Sequence, residues 1–208
     1  WPEHPSFADQ GNLPPYTGPA LPCEYGDDPT TPAEDVFVCN DKLVGGAAYL
    51  DTYNLVHGTG YLYPNLARDP GGHGSHTAST SAGNVVSDPD TPGPELTRIN
   101  GVAPGAQVME YRVCGENGCY QSDSAAAVEQ AILDGVDVIN FSISGGNNPL
   151  TDPVELAFLD AYNAGVFGVL STGFAILLGF VVFLAFSSYD TARSGAEAEA
   201  QVVAQQFQ

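Results

Sequence analysis

Cations are what this sequence has least of. Five Lys and Arg stand against 25 Asp and Glu, for a formal net charge of −20. A surface that neutralises phosphates needs the opposite balance, so nucleic-acid binding is excluded. An acidic excess of this size keeps a protein soluble and suits an extracellular or saline setting. The four cysteines, at 23, 39, 114 and 119, include no Cys-x-x-Cys pair, which argues against a zinc ribbon. Nothing at the N-terminus reads as a signal peptide, and Trp1-Pro2-Glu3-His4 without a leading Met reads as the interior of a longer protein. From 164 to 188 there is no charged residue at all.

What is present supports a folded core. Hydrophobic residues make up 43% of the 208, with ten Phe and ten Tyr, which is not the composition of a disordered chain. The 24 Gly and 16 Pro point to a loop-rich fold. The even cysteine count and short separations favour Cys23–Cys39 and Cys114–Cys119, with three connectivities formally open. Disulfides imply an oxidising compartment.

The most pointed stretch runs from Gly71 to Thr80 and reads GGHGSHTAST. Its glycines allow a sharp turn, and imidazole is the side chain whose ordinary pKa lies nearest working pH, so His73 is the candidate proton shuttle. Ser79 to Gly83 reads as the end of a short helix capped by Gly83.

Elsewhere the pattern is that of an α/β chain. Residues 1–35 read as turns pinned by Phe7 and Tyr16, and Val36–Val44 as a strand or hairpin edge. Thr52–Pro70 reads as loop. Val108–Val113 alternates as a half-buried strand does. A helix follows, capped by Ser122 or Asp123, with Ala125, Val128, Ala131 and Ile132 inward and Gly135 at its end. Val136–Ile143 is a near-continuous apolar strand of the kind buried on both faces. Asp152-Pro153-Val154-Glu155 opens a second helix with a cap, a proline and a capping-box acid, and Val154, Ala157, Phe158 and Ala161 share its inner face. Strand, helix, strand, helix, strand predicts a parallel sheet flanked by helices.

The uncharged run, taken from Val166 to Phe186, is long enough to cross a bilayer of ~30 Å as a helix. That makes residues 168–188 a transmembrane candidate and the membrane a partner through 166–186. Residues 189–208, rich in Ala, Gln and Glu, read as a helical stem.

Several motifs then converge. GGHGSHTASTSAGN resembles the catalytic-histidine motif of subtilisin-like serine peptidases, especially the long secreted branch typified by plant enzymes. WPEHPSFAD resembles the segment after that family's catalytic-aspartate motif. GVAPGAQV at 101–108 and AILDGVDVINFSISGG at 131–146 match the strand, helix and substrate-binding edge that follow. The resemblance covers residues 1–167 as a peptidase domain and also places cysteines near these four positions. It implies a polypeptide substrate and His73 as general base. It implies an edge at Ser142, Ile143, Ser144, Gly145 and Gly146 along which substrate lies as an added strand, with Asp123 near a pocket. No cofactor is implied, although the acidic segment 87–95 could hold a structural calcium.

The departures carry their own expectations. The catalytic aspartate would precede Trp1, an Ala-Gly-Asn does not follow Phe167, and Gly-Thr-Ser-Met-Ala occurs nowhere. The 208 residues are therefore expected to be inactive alone. Residues 168–208 resemble the N-terminal membrane segment of a bestrophin-like family, so a chimeric join at 167/168 is expected. Two further readings stand beside the peptidase: a membrane-anchored non-catalytic α/β module, and a metal site using His73, His76 and Asp69. His76 is expected to pack and bond the backbone, and His4 and His57 to lie at the surface.

Overall fold

Two parallel strands organise the N-terminal part of the molecule. β1 (Leu43–Ala48) and β4 (Val108–Arg112) run side by side, with Leu43 opposite Val108 and Ala48 opposite Arg112. The structure, a computed structural model, describes residues 1–27, 35–87, 98–144 and 151–170. The acidic segment proposed for calcium and the edge residues Gly145 and Gly146 fall largely or wholly outside these.

β1 starts later than the hydrophobic run at 36–44 suggests and passes through Gly45-Gly46. The cause is Tyr25, whose buried ring lies on the strand. A Cβ on Gly46 would run into the Tyr25 hydroxyl, so no other residue fits there without movement. Tyr25 also packs edge-on against Phe37, and with Phe7, Leu43 and Ala67 it forms a core cluster. Cys23 and Cys39 are bonded to each other beside this cluster, and Cys114 is bonded to Cys119, so both short-range pairings form.

The stretch expected to be loop at 52–70 contains a helix, α1 (Asp51–His57). Its first-turn N–H groups are satisfied from far away in sequence. Asp123 accepts from Thr52 N at 2.8 Å and from Tyr53 N at 2.9 Å. Nothing local in the sequence announces that cap. α2 (His73–Ala82) follows and ends at Gly83 as expected. Short strands β2 (Val86–Ser87) and β3 (Arg98–Ile99) pair antiparallel. After β4, the strands β5 (Cys114–Gly115) and β6 (Gly118–Cys119) make a small hairpin closed by its disulfide.

α3 (Gln121–Leu133) buries Val128 and Ala131 as expected, with Asp123, Ser124 and Ala127 inward in place of Ala125 and Ile132. It packs against α4 (Pro153–Asn163). Asp152 caps α4 through Val154 N at 2.9 Å, Pro153 opens it, and Val154, Ala157, Phe158 and Ala161 are buried, all as the sequence predicts.

β7 (Val138–Phe141) pairs with β8 (Phe167–Leu170). The expectation of burial on both faces fails here: Val138 is 56% exposed. Among the described residues no strand pairs with the other edge of β7, and β1–β4 and β7–β8 form separate sheets. β8 also corrects the reading of 166–186 as one helix, because its first residues are extended and Phe167 N–H donates to Asp137 O at 3.0 Å. Among the described residues no helix is long and apolar enough to cross a membrane. Residues 171–208, including the rest of the apolar run and the stem, lie outside them.

Among the described residues three basic side chains are buried, and each serves the backbone or a carboxylate. Lys42 donates to the carbonyls of Pro104 at 3.0 Å and Ala106 at 2.6 Å. Arg112 donates to Tyr63 O at 2.6 Å and Leu66 O at 3.0 Å, which pins the loop leading to α2. Arg68 donates to both oxygens of Glu3, at 2.7 and 3.1 Å, and its guanidinium lies over the Trp1 ring.

Candidate active site

His73 is the first residue of α2 and is exposed to solvent. The turn that delivers it is closed by Asp69. One carboxylate oxygen accepts from Gly72 N at 2.9 Å and the other from Ser75 N at 2.7 Å. Gly72 sits at φ +75°, in the left-handed region, and so permits the chain to turn into the helix without a side-chain penalty. Burial alone would raise the Asp69 carboxyl, but the bonds from Ser75, the positive amino group of Trp1 and the bond from Gly72 together outweigh it and hold it below its ordinary value. The amino group of Trp1 contacts Ser75 Oγ, which brings the WPEHPSFAD segment against the start of α2.

Beneath this turn lies an acid that the sequence reading passed over. Glu110, half-buried on β4, has its carboxyl 3.1 Å from the Tyr25 hydroxyl oxygen. The same hydroxyl is 3.2 Å from Gly45 O. A carbonyl only accepts, so one phenolic proton cannot serve both contacts. A protonated Glu110 resolves the conflict, donating to Tyr25 while Tyr25 donates to Gly45. Burial pushes Glu110 up to about 7, which fits that arrangement. The only sequence signal was a charged residue amid the apolar alternation of β4.

The other sequence-predicted residues are spread out. Asp123 is 3% exposed and caps α1 with both oxygens. Ser142 and Ile143 are half-buried and Ser144 exposed, just beyond β7, with Ser142 Oγ 3.3 Å from Asn140 Nδ2. His76 is exposed rather than packed, and its carbonyl accepts from Ser79 and Thr80 hydroxyls at 3.0 and 2.8 Å. His4 Nδ1 accepts from Ser6 N, and His57 lies exposed 3.2 Å from the Tyr120 hydroxyl. Among the described residues no three His, Cys, Asp or Glu side chains are gathered as a metal ion needs. The metal reading fails because Asp69 is committed to Gly72 and Ser75.

The arrangement can present one imidazole to solvent on a rigid turn, which suits proton transfer to or from a partner brought to it.

Comparison with known proteins agrees with these motifs. The model of the subtilase family matches residues 25–175, which runs past the join expected at 167/168. Subtilisin-like protease SBT1.4 of Arabidopsis thaliana is 37% identical over 180 residues, covering 83% of this chain and 22% of that protein. Subtilisin-like proteases SBT1.5 and SBT1.2 of the same plant are 38% and 34% identical, covering 83% and 85% of this chain and 21% and 22% of theirs. The chain thus spans about a fifth of the length of these curated relatives.

Proposed function

The chain belongs to the subtilase family, and from that premise we propose that it carries the general-base segment of a serine endopeptidase. The observation that supports this best is His73 itself, exposed at the head of α2 on a turn fixed by Asp69, within the motif GGHGSHTAST. A serine hydroxyl is a weak nucleophile until an imidazole takes its proton, and an aspartate must orient that imidazole. His73 is the base in this reading. Ser142–Ser144, with Gly145 and Gly146, offer the edge for an extended polypeptide substrate. Asp123 supports α1 and contributes to the site at one remove. The two disulfides favour an extracellular place of work.

The nucleophile and the aspartate that orients the imidazole come from outside these 208 residues in this reading, since the sequence contains no Gly-Thr-Ser-Met-Ala and no Asp-Thr-Gly. The test is a serine-reactive phosphonate. The 208-residue chain should remain unlabelled, and labelling of any of its serines would overturn the claim of incompleteness. In a longer form that does label, His73→Ala should slow labelling by about two to four orders of magnitude, the usual worth of a positioned general base. Unchanged labelling would remove His73 from the mechanism.

A further inference from the structure

We propose that Asp69 is the positioning residue of His73: its carboxylate holds the turn from Gly71 to Ser75 in the shape that presents the imidazole outward. The inference rests on His73 being the base, as argued above, but the geometry behind it is separate. The two N–H groups that Asp69 takes belong to residues on either side of His73, namely Gly72 at 2.9 Å and Ser75 at 2.7 Å. Early N–H groups of a helix have no partner within it, so whichever group accepts from them decides how the helix begins. An ordinary N-cap residue does this from the position just before the first turn. That position here is Gly72, which has no side chain to offer. The acceptor comes instead from four residues before His73 and closes the loop back on itself.

Two further contacts show how tightly the carboxylate sits. A Cβ on Gly74 would lie 3.3 Å from the Asp69 oxygen that accepts from Ser75, so the carboxylate rests against the backbone of the residue after His73. Asp69 is itself anchored by its predecessors. Ala67 N–H donates to Glu24 O at 2.8 Å, and buried Arg68 grips Glu3 with two bonds. The turn is therefore tied at its base to the β1–β4 core and at its tip to Asp69. Nothing in this chain of contacts touches the ring. Asp69 acts on His73 through the backbone.

The arrangement requires an acceptor on both oxygens. Asparagine keeps one oxygen and replaces the other with a donor, so it can hold one of the two amides and must release the other. Alanine releases both. Protonation of Asp69 weakens both bonds as well, because charge-assisted hydrogen bonds lose much of their strength when the acceptor is neutralised. The groups that face Asp69 are Ser75 on α2, the amino group of Trp1, and Glu110 and Arg112 on β4.

The experiment is NMR on the isotope-labelled 208-residue chain with its disulfides intact, alongside Asp69→Asn and Asp69→Ala. In the unsubstituted chain the Gly72 and Ser75 amide protons should shift together upfield as pH falls through a midpoint below the ordinary aspartate range. In Asp69→Ala, amide exchange at both positions should rise about tenfold or more, and the His73 ring signals should broaden or split. Exchange at Ala78–Ala82 should stay put. Asp69→Asn should keep protection at one amide only. If exchange rises evenly along α2, Asp69 is merely a helix cap and the proposal falls. If the His73 ring signals are unchanged in Asp69→Ala, it also falls. Should that variant fail to fold, the His73 ring signals followed through the Asp69 titration of the unsubstituted chain and in Asp69→Asn decide instead, and rings unchanged in both overturn the proposal. None of these readouts uses catalysis, so an inert His73 in the phosphonate test would overturn only the functional reading.

Discussion

The strand pairs β1–β4 and β7–β8 are held by different means. Around β1–β4, buried cations reach across long stretches of sequence to tie down the flanking segments: Lys42 to Pro104 and Ala106, Arg112 to Tyr63 and Leu66, Arg68 to Glu3. β7–β8 relies on apolar packing, with Phe158 of α4 against Phe141 and buried Ala157 and Ala161 beside it. The first pair carries the turn with His73. The second leaves Val138 and Phe167 largely exposed and an unpaired edge on β7 among the described residues. The contrast teaches that geometry is fixed where chemistry is expected, by groups whose bonds have direction. Where only shape is needed, burial suffices.

The largest effect should come from Arg68→Met. It removes a guanidinium that is fully buried, leaving Glu3 and the Gly26 carbonyl without their donor. Breaking a buried pair from one side costs about 3–5 kcal/mol, and Glu3 keeps some solvent contact, so about 3–4 kcal/mol is expected in denaturant unfolding. Amide exchange should rise across β1, β4 and the His73 turn while α3 and α4 change little. An even rise everywhere would break the contrast, because the two regions would then open as one unit.

Phe158→Ala is the matching test on the other side. Truncating a buried Phe usually costs about 3–5 kcal/mol through lost transfer energy and the cavity left behind. The ring here touches Phe141 and the Gly168 position near an open edge, where neighbours can collapse into the space. A cost of about 2–3 kcal/mol is expected, with exchange rising in α3, α4, β7 and β8 and the His73 turn unaffected. A loss above that of Arg68→Met would reverse the ordering of the two regions.

The same contrast explains what the sequence revealed. α4 was legible because its cap, its opening proline and its inward face all lie within the ten consecutive positions from Asp152 to Ala161. His73 was legible because its motif is contiguous. α1 was not, since its cap is Asp123, some 70 residues away in sequence. β1 was reached only at Leu43 and Val44, the end of the expected strand, because nothing in the sequence shows the Tyr25 ring lying against Gly46. β7 was found by its apolar run, but its burial was misjudged, because a run of apolar residues states what a strand prefers and not whether a neighbour is there to cover it. Asp69 was noticed only as a metal ligand. Its actual partners are backbone N–H groups, which a one-letter sequence does not display.

The smallest effect is also the most specific to β1–β4, and it is read in pH. Glu110 is raised from an ordinary value near 4.5 to about 7 by burial. In the unfolded chain it ionises near 4.5, whereas in the folded protein it keeps its proton until about 7. Between those values the folded state binds more protons than the unfolded one, so stability falls as pH rises and then levels off. The full shift would be worth about 3 kcal/mol, and the partial exposure of Glu110 reduces the expectation to about 2 kcal/mol. Asp69 does not confuse the measurement, because its lowered value places its loss of stability at more acidic pH. Glu110→Gln should imitate the protonated acid, its amide donating to Tyr25 while Tyr25 continues to donate to Gly45 O. Unfolding at pH 4.5, 6 and 8 should therefore show the variant equal to the parent at the lowest pH and more stable at the highest. A parent that gains stability from pH 4.5 to 8, or a variant that parallels it throughout, would mean Glu110 is ionised beneath the His73 turn. Tyr25 would then owe its proton to the carboxylate, and the Gly45 carbonyl would have to be satisfied by something else.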